Sequence, residues 1–158
     1  MAGNAVFVVD DEQDVLELIK DLLVVNRYRA WTFTSAKDMI AALREILPDL
    51  ILLDIMMPDM NGYELCKYIK GSDKLKSIKV CFVSAKTSPE DIQKGRDIGA
   101  DDYLTKPFEN RQLLAKVKTL IGPGWEDQKT QIRQTKPTES VMSTTSLKKQ
   151  AAQQKIQF

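Results

Sequence analysis

Short apolar runs alternate with amphipathic stretches throughout residues 1–122. An amphipathic stretch follows each apolar run and predicts a helix; the first, residues 14–25, repeats its apolar residues at helical spacing. Strict alternation of strands and helices indicates a parallel sheet with helices on both faces. The apolar runs predict five strands, at residues 6–9, Arg29–Phe33, Leu50–Leu53, residues 80–83 and Asp102–Thr105.

Capping residues place the ends of the predicted helices. Thr34 or Ser35 caps the second helix, which is predicted to run through Ile46, and Ser88 caps the fourth. The fifth helix is predicted at residues 109–121. Five parallel strands with five helices predict an α/β fold of the flavodoxin-like, doubly wound type. Its strand order would be 2-1-3-4-5, and its ligand site would lie beyond the carboxyl ends of the strands.

Residues 123–158 differ in composition from the first 122. They are rich in Gln, Lys, Thr and Ser, and they carry 6 Lys and Arg against 3 Asp and Glu. We therefore predict one domain at residues 1–122, followed by a linker or flexible tail. Residues 146–158 could form a short amphipathic helix, which would be too short to be stable alone.

The totals exclude several classes of protein. Net charge is +1 over 158 residues, so no overall field favours nucleic acid. No apolar run approaches the roughly 18 residues of a membrane span, and the N-terminus lacks the basic region of a signal peptide. We expect a cytoplasmic protein with Cys66 and Cys81 buried as thiols. The 158 residues contain no histidine, so a histidine-based triad or a phosphohistidine cannot form within them.

Polar residues that could carry chemistry stand where the predicted strands end. Asp10 and Asp11 follow the first strand, Asp54 the third, Ser84 the fourth and Lys106 the fifth. Carboxyl ends of parallel strands meet at one edge of a sheet, so these five side chains should converge. Each also has an ordinary structural interpretation: aspartates cap helices, serine forms turns, and an isolated lysine is usually solvated.

Together these residue types suit a phosphoryl group. Three carboxylates repel one another unless a hard cation such as Mg²⁺ neutralises them. A lysine and a hydroxyl beside that cation complete a socket for phosphoryl oxygens. An aspartate is a known phosphoryl acceptor, forming an energy-rich acyl phosphate. The spacing therefore indicates phosphorylation of a carboxylate.

The chain resembles the response-regulator receiver domains of two-component signalling, including chemotaxis regulators, over roughly residues 4–122. Each of the matching blocks is moderately specific alone, and their combination in this order is highly specific. The blocks are Val-Val-Asp10-Asp11-Glu, Leu-Leu-Asp54-Ile-Met-Met-Pro58-Asp-Met-Asn-Gly62, Val83-Ser84-Ala85 and Tyr103-Leu-Thr-Lys106-Pro107-Phe108.

The resemblance implies Asp54 as the phosphoacceptor. Mg²⁺, or Mn²⁺ in its place, would be bound by Asp11 directly, by Asp10 partly through water, by Asp54 and by the backbone carbonyl of Met56. Such a domain is not an enzyme in the ordinary sense. Its only chemistry would be metal-dependent self-phosphorylation from a phosphodonor, followed by autodephosphorylation.

The resemblance also implies a switch. Ser84 and Lys106 would hold phosphoryl oxygens, and Tyr103 would move inward as Ser84 is drawn to the phosphate. The peptide bond before Pro107 is expected to be cis. Pro58 and Gly62 would shape the loop after the acceptor.

The implied partners are a sensor histidine kinase or histidine phosphotransfer protein, and a downstream protein target. The switched surface would comprise the fourth helix, fifth strand and fifth helix, through which a homodimer could also form. We find no DNA-binding module in residues 123–158 and do not expect nucleic acid or a membrane among the partners. That surface includes Gln93, Lys94, Asp97, Tyr103, Arg111 and Lys118.

Three other interpretations are weaker. A receiver-like scaffold that is never phosphorylated should have lost acidic or lysine positions, which this chain keeps. A phosphatase with an aspartate nucleophile usually needs a second aspartate two residues later, where this chain has Met56. A nucleotide or flavin binder needs a glycine-rich first turn, whereas this one, residues 10–14, is acidic.

Overall fold

The computed structural model describes residues 4–124. It contains five strands and five helices in strict alternation, as the hydrophobic pattern predicts. The predicted interpretation of residues 125–158, including a short helix at 146–158, lies outside the described residues. The elements are β1 (Ala5–Val9), α1 (Gln13–Val25), β2 (Arg29–Phe33), α2 (Ala36–Ala42), β3 (Leu50–Leu53), α3 (Gly62–Lys70), β4 (Lys79–Ser84), α4 (Pro89–Ile98), β5 (Asp102–Thr105) and α5 (Asn110–Ile121).

All strand pairs are parallel, and the sheet order is β2-β1-β3-β4-β5. The predicted 2-1-3-4-5 order is confirmed. The central strands β1 and β3 are buried along their whole length, because helices cover both faces of the sheet. No helix among residues 4–124 is both long and apolar enough to cross a membrane.

Strand side chains alternate between two separate cores. Phe7 and Val9 of β1 belong to the core that α2 and α3 cover, while Val6 and Val8 belong to the core under α1 and α5. Each fully buried aliphatic or aromatic side chain contributes about 1.5–3 kcal/mol. Two well-filled cores therefore fix the sheet and, with it, the positions of the strand ends.

The second helix is shorter than the sequence predicts. It begins after Ser35, whose Oγ accepts a hydrogen bond from the amide of Asp38 at 3.2 Å. It ends at Ala42 and not at Ile46, so the predicted end was wrong. The amide of Glu45 donates to the Ala42 carbonyl at 3.0 Å, an i to i+3 bond that tightens the chain into a turn before Pro48.

Both ends of α1 and α5 and the start of α4 agree with the prediction to within one residue. Ser88 caps α4 through its Oγ, and Pro89 occupies the first turn. Glu109, predicted as the first residue of α5, is its capping residue instead, with its amide donating to Oε1 of Gln112 at 2.7 Å. Both cysteines, Cys66 in α3 and Cys81 in β4, are buried thiols, as expected.

The chain after α5 packs against the amino ends of β1 and β2. The hydroxyl of Tyr28 donates to the carbonyl of Gly122 at 2.5 Å, and the side-chain Nδ2 of Asn4 donates to the carbonyl of Pro123 at 3.3 Å. A Cβ on Gly124 would lie 2.2 Å from the carbonyl oxygen of Asn26. Only glycine fits this position, and residues 122–124 lie at the edge of the sheet opposite the strands' carboxyl ends.

Candidate functional site

Sheet register brings Asp10 and Asp54 side by side. Val9 of β1 pairs with Leu53 of β3, so the next residue of each strand is an aspartate at the same level. The amide of Asp54 donates to the carbonyl of Val9 at 3.0 Å, which extends the ladder by one bond. Both side chains are buried, with 2% of Asp10 and 6% of Asp54 exposed. Two carboxylates thus lie side by side with little exposed surface.

Lys106 reaches this pair from the neighbouring strands. Ser84 pairs with Thr105, and the amide of Lys106 donates to the Ser84 carbonyl at 2.8 Å, placing the lysine just beyond the strand end. Its Nζ donates to Oδ2 of Asp10 at 2.7 Å and lies 3.7 Å from Oδ2 of Asp54. One partly buried ammonium group therefore lies close to two buried carboxylates.

A third carboxylate completes an acidic cluster. One oxygen each from Asp10, Asp11 and Asp54 lies within 4.8 Å of the others, and Asp11 is exposed to solvent. Lys106 alone cannot neutralise three negative charges. Hard oxygen ligands that converge in this way suit Mg²⁺ or Mn²⁺ bound with several waters. The donor set therefore fits the predicted ion.

The environment of Asp54 resists ionisation. Burial is the largest cause that raises the pKa of this carboxyl above its ordinary value of 3.8, and the negative charge of Asp10 raises it further. Lys106 and the backbone amides of Ile55 and Met56 oppose that increase. The Ile55 amide donates to Oδ1 of Asp54 at 2.8 Å. A nearby cation would favour the ionised form, which is the nucleophilic one.

This raised pKa predicts a pH-dependent stability. Native Asp54 holds its proton more tightly than the unfolded chain does, so ionised Asp54 destabilises the fold above its native pKa. We expect metal-free Asp54→Asn to melt above wild type at pH 7, by roughly 4 °C, the shift that about 1 kcal/mol produces. The difference should shrink as pH falls through the native pKa towards 3.8. Thermal melts by circular dichroism in EDTA would measure it.

Asp73 provides the control for this comparison. Its side chain is 99% exposed, so Asp73→Asn should melt like wild type at every pH. Equal melting temperatures for Asp54→Asn and wild type at pH 7 would contradict the electrostatic account of the site.

A cavity of about 400 Å³ opens beside Asp54. Its lining includes Ser84, which is fully buried, and Met56, which is 60% exposed. The Ser84 hydroxyl accepts a hydrogen bond from the amide of Lys86 at 3.2 Å. The cavity thus offers a cation, a hydroxyl and an acceptor carboxylate to an anionic group. Its full lining is Asp11, Glu12, Asp54, Met56, Ser84, Ala85, Lys86 and Lys106.

The loop between β3 and α3, which contains Pro58, is fastened at two places. The carboxylate of Asp59 accepts hydrogen bonds from the amides of Ala36 and Lys37 at 3.2 and 3.0 Å, tying the loop to the start of α2. The Lys37 amide is the main cause that lowers the pKa of the Asp59 carboxyl. Gly62 donates its amide to the carbonyl of Ile55 at 2.8 Å. The loop therefore turns back directly over the acceptor.

On the other side of the site, the peptide bond between Lys106 and Pro107 is cis, as the resemblance implies. Tyr103 of β5 is partly buried, and its hydroxyl donates to the carbonyl of Lys86 at 2.6 Å. Its ring contacts Phe82, with the ring centroids 5.8 Å apart. Burial is the main cause that raises the pKa of Tyr103 to about 12, so it stays a hydroxyl donor at neutral pH.

The fold brings the predicted strand-end residues Asp10, Asp11, Asp54, Ser84 and Lys106 to one edge of the sheet. Met56 lines the same cavity, and a role for its carbonyl stays a prediction.

Sequence reasoning gave no role to two residues that contact this region. Glu12 places Oε1 3.6 Å from Nζ of Lys106. Its position directly after Asp10 and Asp11 in the sequence could have indicated this contact. Tyr63 is buried, and its spacing of three from Cys66 on the inward face of α3 could have revealed it.

Comparison with known proteins agrees with this geometry. Residues 6–118 match the family model of the response regulator receiver domain. The chain belongs to this family of two-component signalling proteins.

The chain is also similar to individual named proteins and solved structures. It is 35% identical over 127 residues to the phosphate regulon transcriptional regulatory protein PhoB of Pseudomonas aeruginosa, a match covering 78% of this chain and 56% of the relative. Its structure resembles the BeF3-activated receiver domain of DrrB, with a TM-score of 0.67, 34% identity and coverage of 73% of this chain and 95% of the other. The chemotaxis protein CheY4 of Vibrio cholerae matches with a TM-score of 0.70 and 27% identity over 74% of this chain and 98% of that one.

The chain spans about half the length of the curated relatives it matches. Several of these relatives are transcriptional or DNA-binding regulators by name. Our expectation that nucleic acid is not a partner therefore gains no support from them.

Proposed function

We propose that Asp54 accepts a phosphoryl group and that the phosphorylated domain switches the surface formed by α4, β5 and α5. The observation that carries this proposal is the position of Asp54. A buried carboxylate lies beside a second carboxylate and 3.7 Å from a partly buried ammonium, at the mouth of a cavity. An aspartate whose only role was to cap a turn would need neither neighbour.

The residues around Asp54 divide the work of phosphoryl transfer. An oxygen of Asp54 bonds to phosphorus while the bond from phosphorus to the donor breaks, and the donor atom keeps the electron pair. Lys106 and the Ser84 hydroxyl stabilise the phosphoryl oxygens, on which negative charge is concentrated. Asp10, Asp11, Asp54 and the carbonyl of Met56 would hold Mg²⁺ or Mn²⁺, which supplies charge neutralisation between acceptor and phosphoryl group.

The phosphoryl donor has to lie outside these 158 residues if it is a histidine, since they contain none. We propose a sensor histidine kinase or a histidine phosphotransfer protein in the cytoplasm. Autodephosphorylation by water would reset the domain. In this proposal, the described domain receives and loses one phosphoryl group.

The switch would begin at Ser84. Its hydroxyl now accepts from the amide of Lys86, whose carbonyl accepts from Tyr103. A phosphoryl group that accepts the O–H of Ser84 would draw this side chain towards Asp54 and shift the Lys86 backbone that Tyr103 holds, so that the Tyr103 ring moves further inward. The exposed surface of α4, β5 and α5 would then change for a partner protein, a second copy of the chain or an attached output.

Some side chains of that surface already bind one another within the domain. Gln93 donates to Asp97 at 2.8 Å along α4, and Arg111 lies 3.0 Å from Glu109. Dimerisation through it stays a prediction. An attached DNA-binding output is a second candidate, favoured by the names of the longer relatives.

Intact mass after incubation with acetyl phosphate and Mg²⁺ tests the proposed acceptor. Wild type should gain the mass of one phosphoryl group, and Asp54→Ala should gain none, because the nucleophile is gone. The Asp73→Ala variant, altered at an exposed carboxylate, should be phosphorylated like wild type. Full phosphorylation of Asp54→Ala would assign the acceptor elsewhere, and no adduct on wild type would favour an unphosphorylated scaffold.

A further inference from the structure

Two tyrosine hydroxyls hold the segment that runs from the end of β4 into the first turn of α4, at two separate points. Tyr103 donates to the carbonyl of Lys86 at 2.6 Å, in the loop after β4. Tyr63, from the first turn of α3, donates to the carbonyl of Asp91 at 3.1 Å, in the first turn of α4. Tyr63 is only 5% exposed, so this hydroxyl has little access to water. The proposed switch uses Tyr103 and leaves Tyr63 without a function.

Apart from these hydrogen bonds, the α4 helix packs on the domain mainly through partly buried side chains such as Ile98. Gly95 is its one buried residue, and a Cβ there would lie 3.1 Å from the ring of Phe82. Lys94, on the same helix, places Nζ 4.5 Å from the centre of the Tyr63 ring. Tyr63 thus contacts α4 through a hydrogen bond and through a cation–π interaction. A helix with one buried residue is easier to displace than a fully buried one, and Tyr63 is one of its restraints.

The Tyr63 ring also contacts the residue that supports Tyr103. The centroids of Tyr63 and Phe82 are 5.5 Å apart, and those of Phe82 and Tyr103 are 5.8 Å apart. The three rings form a row beneath the backbone of α4. If Tyr103 turns inward, it changes the packing at Phe82 while Asp91 is still held by Tyr63.

We infer that Tyr63 is a positioning residue that holds the amino-terminal turn of α4 in its unphosphorylated arrangement and so opposes the switch. This inference rests on the proposed phosphorylation of Asp54. A hydrogen bond made only in the unphosphorylated state shifts the equilibrium towards that state. Because coupling between two sites is reciprocal, weakening this restraint must also strengthen binding of a phosphoryl group or its mimic at Asp54.

Tyr63→Phe removes the hydroxyl and keeps the ring. We expect faster amide hydrogen exchange over residues 85–98 in the unphosphorylated protein. We also expect the amide exchange of Tyr63→Phe to respond half-maximally at a BeF3− concentration about two- to tenfold lower than that of wild type. This is the factor that the free energy of one net hydrogen bond supplies. The measurement is exchange by mass spectrometry during a BeF3− titration at fixed Mg²⁺. Tyr68→Phe is the matched control, since Tyr68 lies on the same helix and is 50% exposed.

The outcomes separate this inference from the proposed function. Higher BeF3− affinity in Tyr63→Phe, with wild-type behaviour in Tyr68→Phe, supports the restraint. Unchanged exchange and affinity overturn it, while the phosphoacceptor proposal stands. Faster exchange with unchanged or weaker affinity also overturns it, because a purely structural tyrosine would do that. If wild type itself does not respond to BeF3−, the proposed function fails and this inference fails with it.

Discussion

Lys106→Met should abolish phosphorylation and make the fold sensitive to pH and to divalent cations. The substitution leaves the buried carboxylates of Asp10 and Asp54 without the ammonium that now lies 2.7 and 3.7 Å away. Removing one partner of a buried pair costs about 3–5 kcal/mol, and protonation of a carboxyl relieves part of that cost. At pH 7 in EDTA we expect a loss of about 3 kcal/mol in the free energy of unfolding.

The charges of the site determine how the stability loss in Lys106→Met varies with pH and with Mg²⁺. The loss should shrink as pH falls, because the carboxyls take up protons, and it should shrink on addition of Mg²⁺ because a cation is restored. Urea unfolding at pH 5 and pH 7, with and without Mg²⁺, measures both effects. Lys76→Met, at a side chain that is 61% exposed, should remain within about 0.5 kcal/mol of wild type. Equal stability of Lys106→Met and wild type at pH 7 in EDTA would show that the lysine does not neutralise the cluster.

Gly62→Ala should distort the loop over the acceptor. A Cβ at this position would lie 2.3 Å from the carbonyl oxygen of Asp54 and 2.7 Å from Cα of Ile55. Both are backbone atoms at the end of a buried strand, so no rotamer change can relieve the overlap. We expect a loss of about 2–3 kcal/mol in the free energy of unfolding, near the upper range for overpacking. Phosphorylation by acetyl phosphate should slow at least tenfold, as the acceptor is displaced.

Gly71→Ala is the control variant, because it measures the general cost of replacing a glycine away from the site. Gly71 ends α3 with a φ of −87°, which any residue adopts, and its nearest neighbour would be the Lys67 carbonyl at 3.0 Å. The Gly71→Ala variant should be phosphorylated by acetyl phosphate at the wild-type rate. If Gly62→Ala is phosphorylated as fast as Gly71→Ala, the close approach does not position Asp54.

The sequence predicts the strand-end cluster because that cluster follows from topology alone. Once five strands are parallel, residues that follow strand ends must meet, whatever their separation in the chain. Asp10 and Lys106 are 96 residues apart and lie 2.7 Å from each other. Hydrophobic pattern and strand order were sufficient to bring them together.

Interactions made by loops and helix faces were harder to predict. Asp59 ties the acceptor loop to α2, and Tyr63 reaches across to α4. Neither contact follows from periodicity, because each depends on how neighbouring helices lie relative to one another. The end of α2 was overestimated for a related reason, since apolar residues at helical spacing continue into a stretch whose backbone forms tighter turns.

Residues 122–124 contact Asn4, Asn26 and Tyr28. These contacts fix the distance between Asp54 and the point where the chain leaves the domain. These residues occupy one pole of the domain, and Asp54 occupies the other. Strands of four to six residues separate the poles, which is about 15 Å at the usual rise per residue. Any effect of Asp54 phosphorylation on residues 122–124 would therefore have to act across the full length of the sheet.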